Sequence, residues 1–206
     1  MAASTGPTLT PHFRDFLPSW IARQPWYPGD DVPSIRPVGF FRLEDPAGEV
    51  GIETHLVSAG SAIFQIPMTY RGAPLEQLRD GSPAAESHAL ITRAEHSELG
   101  ARWIYDAVHD PVWAAELVRL VATQGTVATR STFAGPAPSV RGVRYRTWQA
   151  TIEPDIELRR VIAAGPPAEG PDVLGAVIGG WHPGAGVSPV VEGCLAILKD
   201  PSARHA

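Results

Sequence analysis

The stretch Ser97–Gly125, SELGARWIYDAVHDPVWAAELVRLVATQG, constrains the fold most, because a strand, a turn and a helix can be read from it in that order. Asp110 offers an oxygen that can accept from an orphan backbone N–H, and Pro111 lacks the N–H that a first helical turn leaves unpaired. Val112, Trp113, Leu117, Leu120 and Val121 then recur at the period of one helix face, with Glu116 and Arg119 expected on the outside. Gly125 is the stop signal, since glycine enters the left-handed conformation without a side-chain clash. The spacing predicts a helix over 111–124. Before it, Arg102–Val108 alternates, with Trp103, Tyr105 and Ala107 on one side and Ile104, Asp106 and Val108 on the other, as a strand does. A helix starting at Ser97 is the competing reading of that run.

From the N-terminus, residues 1–9 read as a mobile tail. Thr10 and Pro11 form a second cap-and-first-turn pair, and Phe13, Phe16, Leu17, Trp20 and Ile21 recur at helical spacing. Pro18 removes a backbone donor and is expected to kink this helix or begin another. Three strands follow at Ile35–Leu43, Val50–Ser58 and Ala62–Tyr70, parted by the turn signals of Glu44–Glu49 and Ala59-Gly60-Ser61. On the second, Val50, Ile52, Thr54 and Leu56 oppose Gly51, Glu53, His55 and Val57. The short spacing predicts an antiparallel meander. A turn of helix is expected at Leu75–Arg79 and a fourth strand at His88–Glu95.

Beyond residue 133 the character changes. Ala134–Ser139 (AGPAPS) is linker-like, and strands are expected at Val140–Ile152, Asp155–Ala163, Val173–Trp181 and Val190–Leu198. Pro- and Gly-rich turns at Gly165–Asp172 and His182–Pro189 part them. The reading is a domain over 10–133 and a strand-rich part over 134–206, a second antiparallel sheet or a continuation of the first.

A chain of 206 residues can bury a sizeable core. Its 21 prolines and 20 glycines call for many turns between short elements. The net charge of −5 comes without a basic block, so nucleic acid is not an expected partner. The lone Cys194, within VVEGCLAIL, excludes an intramolecular disulfide and a multi-cysteine metal site, and reads as a buried inert thiol. MAASTGPTLTPHF has neither the charge nor the apolar core of a signal peptide, and no apolar run is long enough to span a bilayer. The expectation is a soluble, cytoplasmic protein with no membrane insertion.

Three motifs carry a resemblance. LGARWIYDAVHDPVW (Leu99–Trp113) resembles the N-terminal cap domain of actinobacterial maltokinases, where a glycine, an aromatic–apolar–Tyr-Asp run and an Asp-Pro precede a helix. SWIARQPWYPGD (Ser19–Asp30) is similar to the cap's opening helix and its Gln-Arg-Trp-aromatic signature. FQIPMTYRGAPL (Phe64–Leu75) is similar to its Tyr-Gln-apolar-Pro strand ending in Tyr-Arg. Pro25 stands where the family has a basic residue. The resemblance implies an α+β fold, a curved antiparallel sheet packed against two amphipathic helices, here with a second strand-rich part. It also implies a protein partner, because in the kinases the cap sits over the nucleotide-binding lobe. That partner would be kinase-like, in α-glucan or trehalose metabolism, or else a potassium-transport protein. A homodimer through an exposed edge strand is a further expectation.

Catalytic chemistry is not visible. A full maltokinase carries a phosphotransfer lobe after the cap, but this sequence has no His-Gly-Asp loop, no second magnesium-binding aspartate motif and no G-x-x-x-x-G-K loop. Gly175–Gly186, GAVIGGWHPGAG, is rich in glycine but lacks the lysine, and reads as a hairpin turn. The pair His109-Asp110 has no companion histidines at metal-binding spacing, and there is no Gly-x-Ser-x-Gly elbow. The expectation is therefore no catalytic residue, no metal and no cofactor. Tyr105 and Asp106 are candidates for a polar binding surface. Of six tryptophans, Trp20, Trp103 and Trp113 sit on apolar faces, while Trp26 and Trp181 fall near turns and are candidates for an exposed, sugar-stacking or partner-anchoring role. The alternative to a docking cap is accordingly a small-ligand or glucan-binding module built on Trp26 and Trp181.

Overall fold

Turns fix the register of the N-terminal meander. The first parts β2 (Arg36–Glu44) from β3 (Gly51–Ala59), and in it the Asp45 carboxylate accepts from the backbone N–H groups of Ala47, Glu49 and Val50. The second joins β3 to β4 (Ala62–Arg71) through Gly60-Ser61, with Gly60 at φ +61°, and its pairing of Ala59 with Ala62 places Gly51 opposite Tyr70. The computed structural model describes residues 6–76, 81, 89–128, 139–149, 152–167, 170–184 and 189–205. His88, most of the Leu75–Arg79 turn and Ala134–Pro138 of the linker-like stretch lie outside them.

β5 (Leu90–His96) and β6 (Gly100–Asp106) form the next hairpin, so Ser97–Leu99 is a turn and not a helix start. β1 (Leu9–Thr10) pairs with β5, and the Ser97 N–H donates to the Thr8 carbonyl at 2.9 Å. The segment expected as a tail is therefore tied down at Thr8 and Leu9. All pairs are antiparallel, in the order β1-β5-β6-β4-β3-β2.

Helix α1 (Phe13–Ile21) is capped by His12, whose N–H donates to Asp15 Oδ2 at 2.9 Å, and not by Thr10, which β1 takes up. Pro18 costs one backbone bond without dividing the helix, and Ala22 N–H closes onto the Pro18 carbonyl at 3.1 Å. Beyond β6, a 3-10 turn (Ala107–His109) leads to α2 (Pro111–Ala122), which Asp110 caps through Val112 N–H at 2.9 Å. Its end differs from expectation. Gln124, at φ +52°, holds the left-handed position, and the Gln124 and Gly125 N–H groups close onto the carbonyls of Val121 and Leu120. Glu116, expected outside, is buried and ion-paired with Arg119. α2 lies between two sheets, so more than one stripe of it is covered.

The second sheet has five strands: β7 (Thr126–Ala128), β8 (Ser139–Arg144), β9 (Asp155–Leu158), β11 (Val173–Trp181) and β12 (Val191–Lys199), in the order β7-β8-β11-β12-β9. The strand expected to run on to Ile152 stops at Arg144, where the Tyr145 and Arg146 N–H groups both turn onto the Leu174 carbonyl. The strand expected over Asp155–Ala163 divides between the two sheets. Arg159 N–H donates to Leu195 of β12, whereas the Arg160 carbonyl accepts from Gln65 of β4, and β10 (Val161–Ile162) then pairs with Ile63 and Phe64. The C-terminal part is thus both a second sheet and a continuation of the first. Pro67 sits where β4 passes from β10 to β6, so the ladder does not miss its N–H.

Both faces of the first sheet are covered. On one, Leu17, Trp20 and Ile21 of α1 pack on Val57, Phe64, Ile66, Met68 and Ile104. On the other, Phe41, Ile52 and Leu56 meet Trp113, Leu117 and Val121 of α2 and Val140, Leu174, Trp181 and Leu195 of the second sheet. The two helices therefore take opposite faces, which is why β4 reads as a nearly continuous apolar run. At the centre of the second core the backbone of α2 lies directly on β8. A Cβ on Gly142 would stand 2.2 Å from the Leu120 carbonyl oxygen, so only glycine fits.

Candidate functional site

Polar residues of two of the sequence motifs come together as ties inside the fold. Asp110 is fully buried, and both its oxygens accept from Arg71 of β4, from Nε and Nη2 at 2.7 Å each. One carboxylate thus caps α2 and clamps it to the sheet. This fork holds the Arg71 guanidinium above its ordinary pKa, since both donors are engaged by the buried carboxylate. Gln65 Nε2 reaches across to the Leu195 carbonyl at 2.9 Å and so links the two sheets.

Of the candidate binding residues, Tyr105 is buried, and its hydroxyl accepts from Leu75 N–H at 3.0 Å. Asp106 is buried and paired with Arg160. The same Arg160 guanidinium lies 5.2 Å from the Trp26 ring, which packs between Trp20 and Phe64. Trp26 and Asp106 are therefore neighbours through Arg160, and all three serve the joint between the sheets. Trp181 is 1 % exposed, against the expectation of exposure. It ends β11 but points into the shared core, where a Cβ on Gly193 would stand 2.7 Å from its Cη2 atom. It cannot stack on an external ring.

An open site lies elsewhere, on the α1 side of the first sheet. A cleft of about 810 Å³ is floored by Arg42, Gly51, Glu53, His55 and Tyr70 and flanked by Phe13, His12 and Arg102. His55 Nε2 stands 3.6 Å and Arg42 Nη1 3.9 Å from the Glu53 carboxylate. Burial acts to raise the Glu53 carboxyl, but His55, Arg42 and Tyr70 outweigh it and hold it below the usual range. Burial, and then the Glu53 charge, push the Tyr70 hydroxyl well above its ordinary value. The His55 ring is held between Phe13 and Phe40, at 4.3 and 5.0 Å between centroids. None of this cleft was singled out in the sequence. The signal available was Gly51, Glu53 and His55 sharing one side of a strand whose other side is apolar.

Among the described residues no group of three His, Cys, Asp or Glu side chains is placed to hold a metal ion, and no helix is long and apolar enough to cross a membrane. Cys194 is half-buried, and burial raises its thiol above the ordinary value.

A curled antiparallel sheet, with α1 on one face and α2 on the other, defines an α+β module. Residues 20–110 match the family model of the maltokinase N-terminal cap domain. The match runs from Trp20 in α1 to the Asp110 cap of α2, so it takes in β2–β6 and leaves the second sheet outside.

Proposed function

We propose that this chain is a non-catalytic cap module that docks on a kinase-like partner in α-glucan or trehalose metabolism and regulates it. The supporting observation is the cap-domain match over residues 20–110, in which the characteristic polar residues serve as internal ties. Gln65, Arg71 and Asp110 spend hydrogen bonds on the fold and Asp106 is paired with Arg160, which supports reading the motif as an architectural one. The sequence also carries no phosphate loop or phosphotransfer aspartate loop. A potassium-transport protein is the second partner class, and a second copy of the chain is the third.

The test is affinity capture with the tagged chain from its own cell lysate, read by mass spectrometry, beside an assay of the pure chain with ATP and maltose. Recovery of a kinase or glucan enzyme without turnover is the expected result. ATP-dependent phosphorylation of maltose by the pure chain would sink the proposal. The buried Trp181 leaves the tryptophan-based glucan module only Trp26, half-buried beside Arg160.

A further inference from the structure

Helix α1 is too short to roof the sheet beneath it. Its nine residues rise about 13 Å, whereas the nine residues of β3 run about 30 Å. The end of β3 carrying Gly51, Glu53 and His55 is therefore left open, and its cleft of about 810 Å³ lies within the range of small-molecule sites. Two features show a site and not a mere gap. His55 is only 6 % exposed, lines the cleft, and its Nε2 has no hydrogen-bond partner, the Glu53 oxygen at 3.6 Å being too far. Gly51 faces the same cleft beside the Tyr70 ring, so the floor stays open where any side chain would begin to fill it.

The chemistry of the floor selects a ligand class. Arg42 lies 3.9 Å from Glu53, so a phosphate group would meet the carboxylate and a cation would meet the guanidinium. What remains is a mixture of flat donors and acceptors, Glu53, Arg42, His55 and Arg102, next to the ring of Phe13. A hydroxyl both donates and accepts, and a pair of vicinal hydroxyls can engage a carboxylate and a guanidinium together. We propose that this cleft binds a neutral polyhydroxylated ring, a pyranose or a cyclitol, beside Phe13 with hydroxyls on Glu53 and Arg42, His55 Nε2 lying buried just behind the Glu53 carboxylate. The site is separate from the docking reading and uses none of the candidate residues Trp26, Trp181, Tyr105 or Asp106.

The test is isothermal titration of the full chain with D-glucose, maltose and myo-inositol, with inorganic phosphate as a fourth titrant. At least one of the three polyols should bind saturably, one to one. Glu53→Gln should weaken that binding about tenfold or more, the effect of losing a charged hydrogen-bond partner. Arg102→Ala, a change at the partly exposed rim, should weaken it without altering the fold, and Glu157→Gln on β9, outside the cleft, should leave it unchanged. The ¹⁵N resonance of His55 Nε2 should move with the same saturation curve. No saturable heat with any polyol, affinity indifferent to both Glu53→Gln and Arg102→Ala, an unmoved His55 resonance, or binding of phosphate in their place overturns the proposal. If Glu53→Gln does not fold, Arg102→Ala and the His55 resonance carry the decision.

Discussion

Replacing Asp110 by alanine removes the clamp between α2 and the first sheet. Three hydrogen bonds go at once: Val112 N–H at 2.9 Å, and Arg71 Nε and Nη2 at 2.7 Å each. Loss of an N-cap acceptor costs about 1 kcal/mol. Breaking a buried ion pair from one side costs about 3–5 kcal/mol, because the other charge is left behind. The Arg71 side chain keeps 20 % of its surface exposed and can rehydrate in part, so the lower end, about 3 kcal/mol, applies. The sum is about 4 kcal/mol, a large share of the roughly 5–15 kcal/mol that holds a typical domain folded. With a urea slope of about 2 kcal/mol per molar, the unfolding midpoint of Asp110→Ala should fall by about 2 M, followed by far-ultraviolet circular dichroism. Asp110→Asn keeps the cap acceptor and one bond to Arg71, and should lose about half as much. A midpoint for Asp110→Ala within about 0.3 M of the parent would refute the reasoning, since a clamp of this geometry cannot be removed without effect.

Gly142→Ala places a Cβ 2.2 Å from the Leu120 carbonyl oxygen and should cost about 1–3 kcal/mol through overpacking, read as a fall in thermal midpoint by calorimetry. An unchanged midpoint would mean that α2 does not rest on the second sheet. Trp181→Ala should cost about 3–5 kcal/mol in urea unfolding, as a core deletion does, whereas an exposed tryptophan would be lost almost without effect. Burial first, and then Arg14 and His55, hold the His12 imidazole below its ordinary pKa of 6.5. The folded chain therefore binds fewer protons there than the unfolded chain. The contribution of His12 to stability is complete above pH 6.5 and shrinks as the pH falls below it. Relative to His12→Asn, which keeps a capping side chain, the parent should lose stability on going from about pH 7.5 to about pH 5.5. Parallel pH profiles of the two proteins would contradict this.

What the sequence made legible was local. Asp110-Pro111 announces a helix start because capping needs only an acceptor and a missing N–H, both visible in the residue names. The hairpin at Gly60 is visible for the same kind of reason. The partner of Asp110 was not visible, because Arg71 lies 39 residues away and meets it only once β4 is in place. Glu116 and Trp181 misled for a related reason. Periodicity and turn proximity assign a residue to a side of its own element, but whether that side is wet depends on what packs there: Trp181 joins the shared core, and Glu116 is buried in its pair with Arg119. The division of Asp155–Ala163 between two sheets also escapes a strand pattern, since both halves read as extended chain. The cleft was half legible. Glu53 and His55 share a strand face by parity, and the hairpin register then sets Tyr70 opposite Gly51, but the short reach of α1 shows only in three dimensions.

The most direct test of the docking account is titration calorimetry of the pure chain with a maltokinase catalytic region from which its own cap has been removed. The account predicts a saturable one-to-one complex with a Kd of about 1–10 μM, and no phosphate transfer to maltose by the chain alone. Absence of binding across that range, or turnover by the chain without a partner, would contradict it.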